Sequence, residues 1–469
     1  MLARLTKRNL GPTAGRRRRR TRILLILVAV SVVAAGGTAL AAIVPRESDT
    51  KAEVHLAPEP DPVTLVPTIA PISDISPAPS VAGIAAALAP VVASPDLGAF
   101  TGSVADAVTG EVLWSSGPDT PMTPASTTKV LTAGAAMLAL SPEHRVTTRV
   151  VKGQSDGEIV IVAAGDPTIT ARPLGSESFY SGSARIDDLV EQISKSGTPV
   201  DRIVVDTSIY SGPTMAQGWF APDIAAGYIT PIEPIMIDGG RSDPLEDESP
   251  RSVEPALDAG RALARGLGLD PARVSIGAAP PGADQVASVQ SAPLRDRLGQ
   301  MMGRSDNVLA EAIGREIAIE TNAQASFTGA VDSIEQTLFA AGYDMSGLEL
   351  HDSSGLSVDG VIPARLLDRI LTSAAGSGKP ELRPMLDYLP VAGSTGTLSD
   401  RYASAERVGA GWVRAKTGTL SAASALAGYV VDMDGRTLTF ALMSNDRPPE
   451  VSRPALDAVA ATLRLCGCR

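Results

Sequence analysis

Ser126-Thr127-Thr128-Lys129 sets a hydroxyl and an amine three residues apart, directly before the apolar run Val130, Leu131, Ala133, Ala135, Ala136, Met137 and Leu138. Pro124, just upstream, suits the first turn of a helix, so the run reads as a helix with the serine and the lysine on one face. A serine hydroxyl is a poor nucleophile near neutral pH. A lysine serves as its base only when burial or a nearby cation depresses its pKa. The chain has seven lysines, which makes such a pairing informative, and three histidines, His55, His144 and His351. No histidine lies near the stretch, so a Ser-His-Asp triad has little support. A second Ser-x-x-Lys, Ser48 to Lys51, sits in a proline-rich segment with no helix after it and reads as chance. Taken alone, a capped surface helix with a solvated lysine explains the four residues as well as chemistry does.

Two later stretches add to it. Ser305-Asp306-Asn307 is the only Ser-x-Asn in the chain, and a helix with Val308, Leu309, Ile313 and Ile317 on one apolar face is predicted after it. By itself this is an N-cap. Lys416-Thr417-Gly418, followed by Thr419, lies in Val413 to Leu420, which reads as a strand. Gly418 is expected to let a ligand approach the backbone, and an edge strand binds an extended peptide by adding it to the sheet. Lys416 and the threonine hydroxyls would attract a carboxylate. Ser394-Thr395-Gly396-Thr397-Leu398 echoes this stretch without the lysine and reads as a turn or a cleft-lining loop.

Around these stretches the pattern is α+β. Ile84 to Ala89 reads as a short helix ended by Pro90. Gly102 to Asp106 and Glu111 to Trp114 read as strands joined at Thr109-Gly110. Trp412 to Ala415, Ala425 to Val431 and Thr437 to Met443 are strand candidates, the last two joined by Asp434-Gly435, and Val451 to Leu465 is a closing helix. The sheet is thus assembled from both ends of the chain.

Of 469 residues, 44% are hydrophobic, 20% charged and 3% aromatic, with a net charge of −11. Global disorder and an aromatic platform for single-stranded nucleic acid are excluded. The two cysteines, Cys466 and Cys468, exclude a disulfide scaffold. A disulfide across their single intervening glycine would be strained, so they read as a tail open to oxidation between chains. Residues 1–43 hold nine basic and no acidic residues, and the rest carries 32 basic against 52 acidic. So acidic a body argues against DNA or RNA as a partner. Residues 23–43 contain no charge and are long enough to span a bilayer, with the arginines on the cytoplasmic side. An uncleaved signal anchor is favoured by that length; a signal peptide cleaved near Ala39-Leu40-Ala41 is the alternative. Either exports the body. Residues 44–80, rich in proline, form a semi-rigid linker.

The three stretches in this order are the set shared by penicillin-binding proteins and related β-lactamases. The chain resembles a low-molecular-mass class C penicillin-binding protein, a D-alanyl-D-alanine carboxypeptidase/endopeptidase. Ala164-Gly165-Asp166-Pro167-Thr168, His351 to Ser357, and Val413 to Leu420 carry further likeness over roughly residues 80 to 465. The resemblance implies a transpeptidase-like domain, an antiparallel sheet with helices, over 81–150 and 286–469. An inserted smaller domain occupies 151–285, with Asp238 to Pro255 as the scar of a reduced subdomain. It implies Ser126 as nucleophile, Lys129 as base, Ser305 as proton relay and Asn307 as the residue that fixes Lys129. Lys416 would keep the site positive and depress Lys129, while Thr417 and Thr419 hold a terminal carboxylate. Asp223 stands where an acidic residue that reads the peptide is suspected; an ordinary loop aspartate is the favoured alternative. The implied ligands are peptidoglycan stem peptides and β-lactams, with no metal or organic cofactor. A β-lactamase or esterase on the same site, and a scaffold with a relic site, are the competing readings.

Overall fold

A computed structural model describes residues 76–403 and 406–469. The basic segment, the charge-free stretch and most of the linker lie outside the described residues. Among the described residues no helix is long and apolar enough to cross a membrane.

The first helix, α1 (Val81–Val92), begins at Ser80, whose hydroxyl accepts from Gly83 N at 3.0 Å. It does not stop at Pro90 as expected. Proline there forgoes only the bond to the Ala86 carbonyl, and both residues are exposed, so that carbonyl is not left buried without a partner. Strands β1 (Ala99–Asp106) and β2 (Val112–Ser116) follow, then a short 3₁₀ turn, Ala125–Thr128, that runs into α2 (Lys129–Ala139).

The chain next builds a second sheet from β3 (Thr147–Lys152), β4 (Glu158–Val162), β5 (Arg202–Asp206), β6 (Val274–Ile276) and β7 (Gln285–Gln290), in the order β7-β3-β4-β5-β6. Its last three strands run parallel. Parallel neighbours need crossover helices, and α3 (Ile186–Ser196) and α4 (Pro255–Gly266) provide them. Leu189 and Ile193 of α3 and Leu263 of α4 close a core with Ile159, Ile161, Ile203 and Val205. Because β3 and β7 pair with each other, this sheet reaches from 147 to 290, a few residues beyond the expected insertion at both ends.

Four helices complete the body: α5 (Leu294–Arg304), α6 (Asn307–Glu320), α7 (Phe327–Ala340) and α8 (Ala364–Ala375). Then come β8 (Arg414–Leu420), β9 (Ala423–Val431), β10 (Thr437–Asn445) and α9 (Pro449–Leu465). The main sheet is antiparallel, in the order β8-β9-β10-β1-β2. The hairpin at Asp434-Gly435 is tied by Asp432, whose Oδ1 accepts from Asp434 N at 2.9 Å and Arg436 N at 2.7 Å.

The two faces of this sheet carry different side chains. Leu426, Val430, Leu438, Phe440 and Leu442 meet α1 and α9, whereas Ala425, Ala427, Ala441 and Met443 meet the helical layer. The small residues on the second face let α8 lie close to the strands. Helix α6 was expected to have one apolar face, yet every residue from Val308 to Ala318 is buried, including Glu311, Arg315 and Glu316. It is enclosed on all sides, with Glu316 paired to Arg297 and Glu311 to Arg315 at 3.4 Å; the first pairing holds Glu316 below its ordinary value, whereas burial raises Glu311 to about 7.

The two ends of the described chain meet. Ser80 N donates to the Cys468 carbonyl at 2.7 Å, and Cys466 and Cys468 are bonded to each other as a disulfide. This corrects the expectation of a tail oxidised between chains: the two Cα atoms lie 4.8 Å apart, within the reach of a disulfide.

Phe440 is fully buried at the centre of the sheet. Phe440→Ala should cost about 3–5 kcal/mol, read as a lower denaturation midpoint with an unchanged slope in urea.

Candidate active site

The 3₁₀ turn that carries Ser126 is pinned from two directions. Ala125 takes a positive φ of 48°, uncommon for a residue with a side chain and typical of strained functional turns. On one side Gly418 of β8 passes so close that a Cβ there would lie 2.4 Å from the Pro124 carbonyl oxygen. On the other, a Cβ on Gly355 would lie 2.0 Å from the Ala125 carbonyl oxygen. Gly418 therefore makes room for the serine turn. Thr132, one turn into α2, donates to the Ser353 carbonyl at 2.6 Å and fixes the 353–355 loop on the helix.

Ser126 is partly exposed, and Lys129 beneath it is fully buried. Lys129 Nζ lies 2.9 Å from Ser126 Oγ, 2.7 Å from Asn307 Oδ1 and 2.7 Å from the Ser354 carbonyl oxygen. Burial brings its pKa down to about 8, against the pull of the Asp352, Asp306 and Glu311 carboxylates in the other direction. An uncharged lysine has two N–H donors and one lone pair. Asn307 and Ser354 offer no proton from the accepting oxygens, so they take the two donors and leave the lone pair for the serine hydroxyl.

Asn307 and Ser305 are presented by the junction of α5 and α6. Ser305 ends α5 in the left-handed region with φ 62°, and Asp306 caps α6 by accepting from Leu309 N at 2.9 Å. The cap and the site thus coexist in three residues. Asn307 Nδ2 donates to the Tyr228 carbonyl at 3.0 Å. Lys416 Nζ donates to Ser305 Oγ and to the Thr417 carbonyl, each at 2.8 Å.

Burial, and then repulsion from the Lys129 amine, hold Lys416 well below the usual lysine value.

These residues open onto one cavity of ≈1010 Å³ that reaches Ser126, Ser305, Asn307, Thr417, Thr419 and Asp223. Strand β8 is an edge of the main sheet, leaving its outer side from Thr417 onward to a ligand. Thr397, from the echo stretch, lines this cavity and shares a 2.7 Å hydrogen bond with Thr417. Asp223 is the second residue of a single helical turn, Pro222–Ala225, and its carboxylate accepts a long 3.4 Å bond from Phe220 N.

Asp238 to Pro255 takes part in the site. Arg241, Asp247, Glu248 and Arg251 from it form a wall of the cavity. Arg241 stacks 3.4 Å over the Phe179 ring and donates to Tyr180 Oη at 2.9 Å and to Asp306 at 3.2 Å; Tyr180 also donates to Asp306 at 2.7 Å. Burial alone would raise Asp306, but the Arg241 and Arg251 guanidiniums hold it at about 2.

Sequence reasoning missed the Ser354 and Tyr228 carbonyls, which no side-chain pattern reveals. It also missed Asp352, which receives Gly355 N and Ser357 N at 2.7 Å each and Trp219 Nε1 at 2.7 Å. The His351 to Ser357 phrase held that signal.

The family model for D-Ala-D-Ala carboxypeptidase 3 (S13) matches residues 84–248 and 244–464. A carboxypeptidase of Mycobacterium tuberculosis is 52% identical over 416 residues, covering 88% of this chain and 90% of its own. Carboxypeptidase DacB of Mycolicibacterium smegmatis is 48% identical over 440 residues, 93% of this chain and 95% of its own. Penicillin binding protein 4 (dacB) of Haemophilus influenzae superposes with a TM-score of 0.65 at 21% identity, over 82% of this chain and 98% of its own. The fold is that of the penicillin-binding-protein transpeptidase class. The chain belongs to the D-Ala-D-Ala carboxypeptidase 3 (S13) family.

Asp306 titrates below its ordinary 3.8, so its pairing contributes stability above about pH 4 that is lost as pH falls toward 2. Arg241→Leu removes that pairing and should cost about 3–5 kcal/mol at pH 7. Urea titrations at pH 7 and pH 4 should show the deficit narrowing on acidification, as the orphaned carboxyl takes up a proton. An equal deficit at both pH values contradicts the assignment.

Proposed function

We propose that this chain is a serine D-Ala-D-Ala carboxypeptidase that acts on peptidoglycan stem peptides through an acyl-enzyme and is acylated by penicillins. The observation that carries the reading is the buried Lys129 amine, held by two carbonyl acceptors with Ser126 Oγ at 2.9 Å. Family membership and the two carboxypeptidases at 52% and 48% identity support it.

In this reading Ser126 Oγ attacks the carbonyl carbon between the two terminal D-alanines while its proton passes to Lys129 Nζ. The tetrahedral oxyanion is stabilised by the backbone amides of Ser126 and Thr419; one such donor is worth about 100- to 1000-fold in rate. The C–N bond breaks, and the departing amine receives a proton by way of Ser305, which Lys416 holds at 2.8 Å. Water then cleaves the ester and restores Ser126. A β-lactam follows the first half of this course, its amide opening while the leaving nitrogen stays tethered. Asn307 keeps Lys129 aimed, and Thr417 and Thr419 receive the terminal carboxylate. An endopeptidase differs only in the departing amine, so the same acyl-enzyme serves cross-linked stems. Asp223 is proposed to receive an ammonium group of the stem, supported by its place on the cavity wall.

The exported location rests on the sequence: nine basic residues followed by the charge-free residues 23–43. We propose a body on the outer face of the cytoplasmic membrane or free in the wall space, with residues 23–43 as the membrane-directing segment.

A fluorescent penicillin should label the wild type stably and Ser126→Ala not at all, and D-alanine release from D-Ala-D-Ala peptides should vanish in the same variant. Near-normal labelling of Ser126→Ala sinks the assignment, whereas penicillin consumed without lasting label points to a β-lactamase. Because only the uncharged amine accepts the serine proton, the acylation rate should climb from pH 6 and level off above about 8. A stopped-flow rate that is flat over this interval argues against Lys129 as base.

A further inference from the structure

Thr419 is held by a residue outside all three stretches. Arg453, on the first half of α9, donates from Nε to Thr419 Oγ1 at 3.2 Å. It is exposed and lines the cavity that contains Ser126, Thr417 and Thr419. Its neighbour Arg401 is committed elsewhere, to Asp457, through bonds of 3.0 and 2.6 Å. Arg453 is not: among the described residues no carboxylate forms an ion pair with its guanidinium, and its Nη groups have no hydrogen-bond acceptor.

The bond to Thr419 also has a direction. The guanidinium can only donate, so it occupies a lone pair of Oγ1 and leaves the hydroxyl proton for an acceptor in the cavity. Thr417, two residues earlier on β8, presents a second hydroxyl whose partner is Thr397 Oγ1 at 2.7 Å. Two hydroxyls and an uncommitted guanidinium fork, converging beside the serine, fit a planar anion with two oxygens.

We propose that Arg453 is a specificity-determining residue that, together with Thr417 and Thr419, binds the substrate's free carboxylate next to the scissile nitrogen. This rests on the acyl-transfer reading above and adds what that reading lacks: a charge that separates a peptide acid from its amide. The ligand class is a peptide ending in a D-amino acid with a free carboxylate, and a C-terminal carboxamide is the poor substrate.

The test uses the purified full chain and a pair of peptides, one ending in D-Ala-D-Ala and the other in D-Ala-D-alaninamide. Steady-state constants are measured for wild type, Arg453→Leu and Arg453→Lys. Wild type should prefer the acid. Arg453→Leu should lose about 10- to 100-fold in kcat/KM on the acid, mostly through KM, and stay within about twofold on the amide. Arg453→Lys should recover part of the loss. Equal losses on both peptides would mark a merely structural role, and an unchanged acid-to-amide ratio would overturn the proposal while leaving acyl transfer intact. A wild type that processes neither peptide overturns the acyl-transfer reading and this inference with it.

Discussion

The structure turns on one amine held out of water. Lys129 is fully enclosed, and its hydrogen-bond partners come from three separate parts of the chain: Ser126 three residues away, Asn307 at the head of α6, and Ser354 in a loop. Desolvation lowers its affinity for a proton, while nearby Asp352, Asp306 and Glu311 stop the fall at about 8. A lysine with no such carboxylates would fall further, as Lys416 does. The balance matters because a base useful near neutral pH must neither hold its proton permanently nor lose all basicity.

Holding the amine demands rigid backing, and most of the surrounding fold provides it. Helix α6 is buried along almost its whole length, so Asn307 at its first turn has little freedom. The 353–355 loop is clamped by Thr132 and by the approach of Gly355 to the Ala125 carbonyl. The Ser305–Asn307 junction is fixed by Asp306, which is bound in turn by Tyr180 and Arg241. Those two residues belong to the segment between the first two motifs. That segment therefore does more than decorate the body: it supplies the cation that lets a buried carboxylate stay charged beside the site.

Side-chain chemistry was the legible part of the sequence. Ser126, Lys129, Ser305, Asn307 and Lys416 stood out because scarce lysines and a single Ser-x-Asn formed an ordered set; the structure brings Ser126, Ser305 and Asn307 to one cavity, with Lys129 and Lys416 buried behind it and bonded to the two serines. The sheet was legible from alternation and from Asp434-Gly435, which needs a positive φ, 84° at Gly435. What escaped depended on neighbours distant in sequence. The strand pattern gave no sign that Gly418 also passes close to the Pro124 carbonyl, where a Cβ would lie 2.4 Å from its oxygen. The single apolar face read on α6 did not reveal that its charged residues are paired in the interior. The Ser354 carbonyl is invisible to any pattern of side chains, and Arg453 lies 34 residues beyond the threonine it binds.

The most direct measurement of the central claim is where the acyl group sits. The full chain would be treated briefly with benzylpenicillin, quenched, digested and mapped by mass spectrometry. The account predicts a single penicilloyl ester on Ser126, formed faster above pH 8 than at pH 6. An adduct on Ser305, on Ser394 or on a lysine, or a rate of ester formation independent of pH, would contradict it.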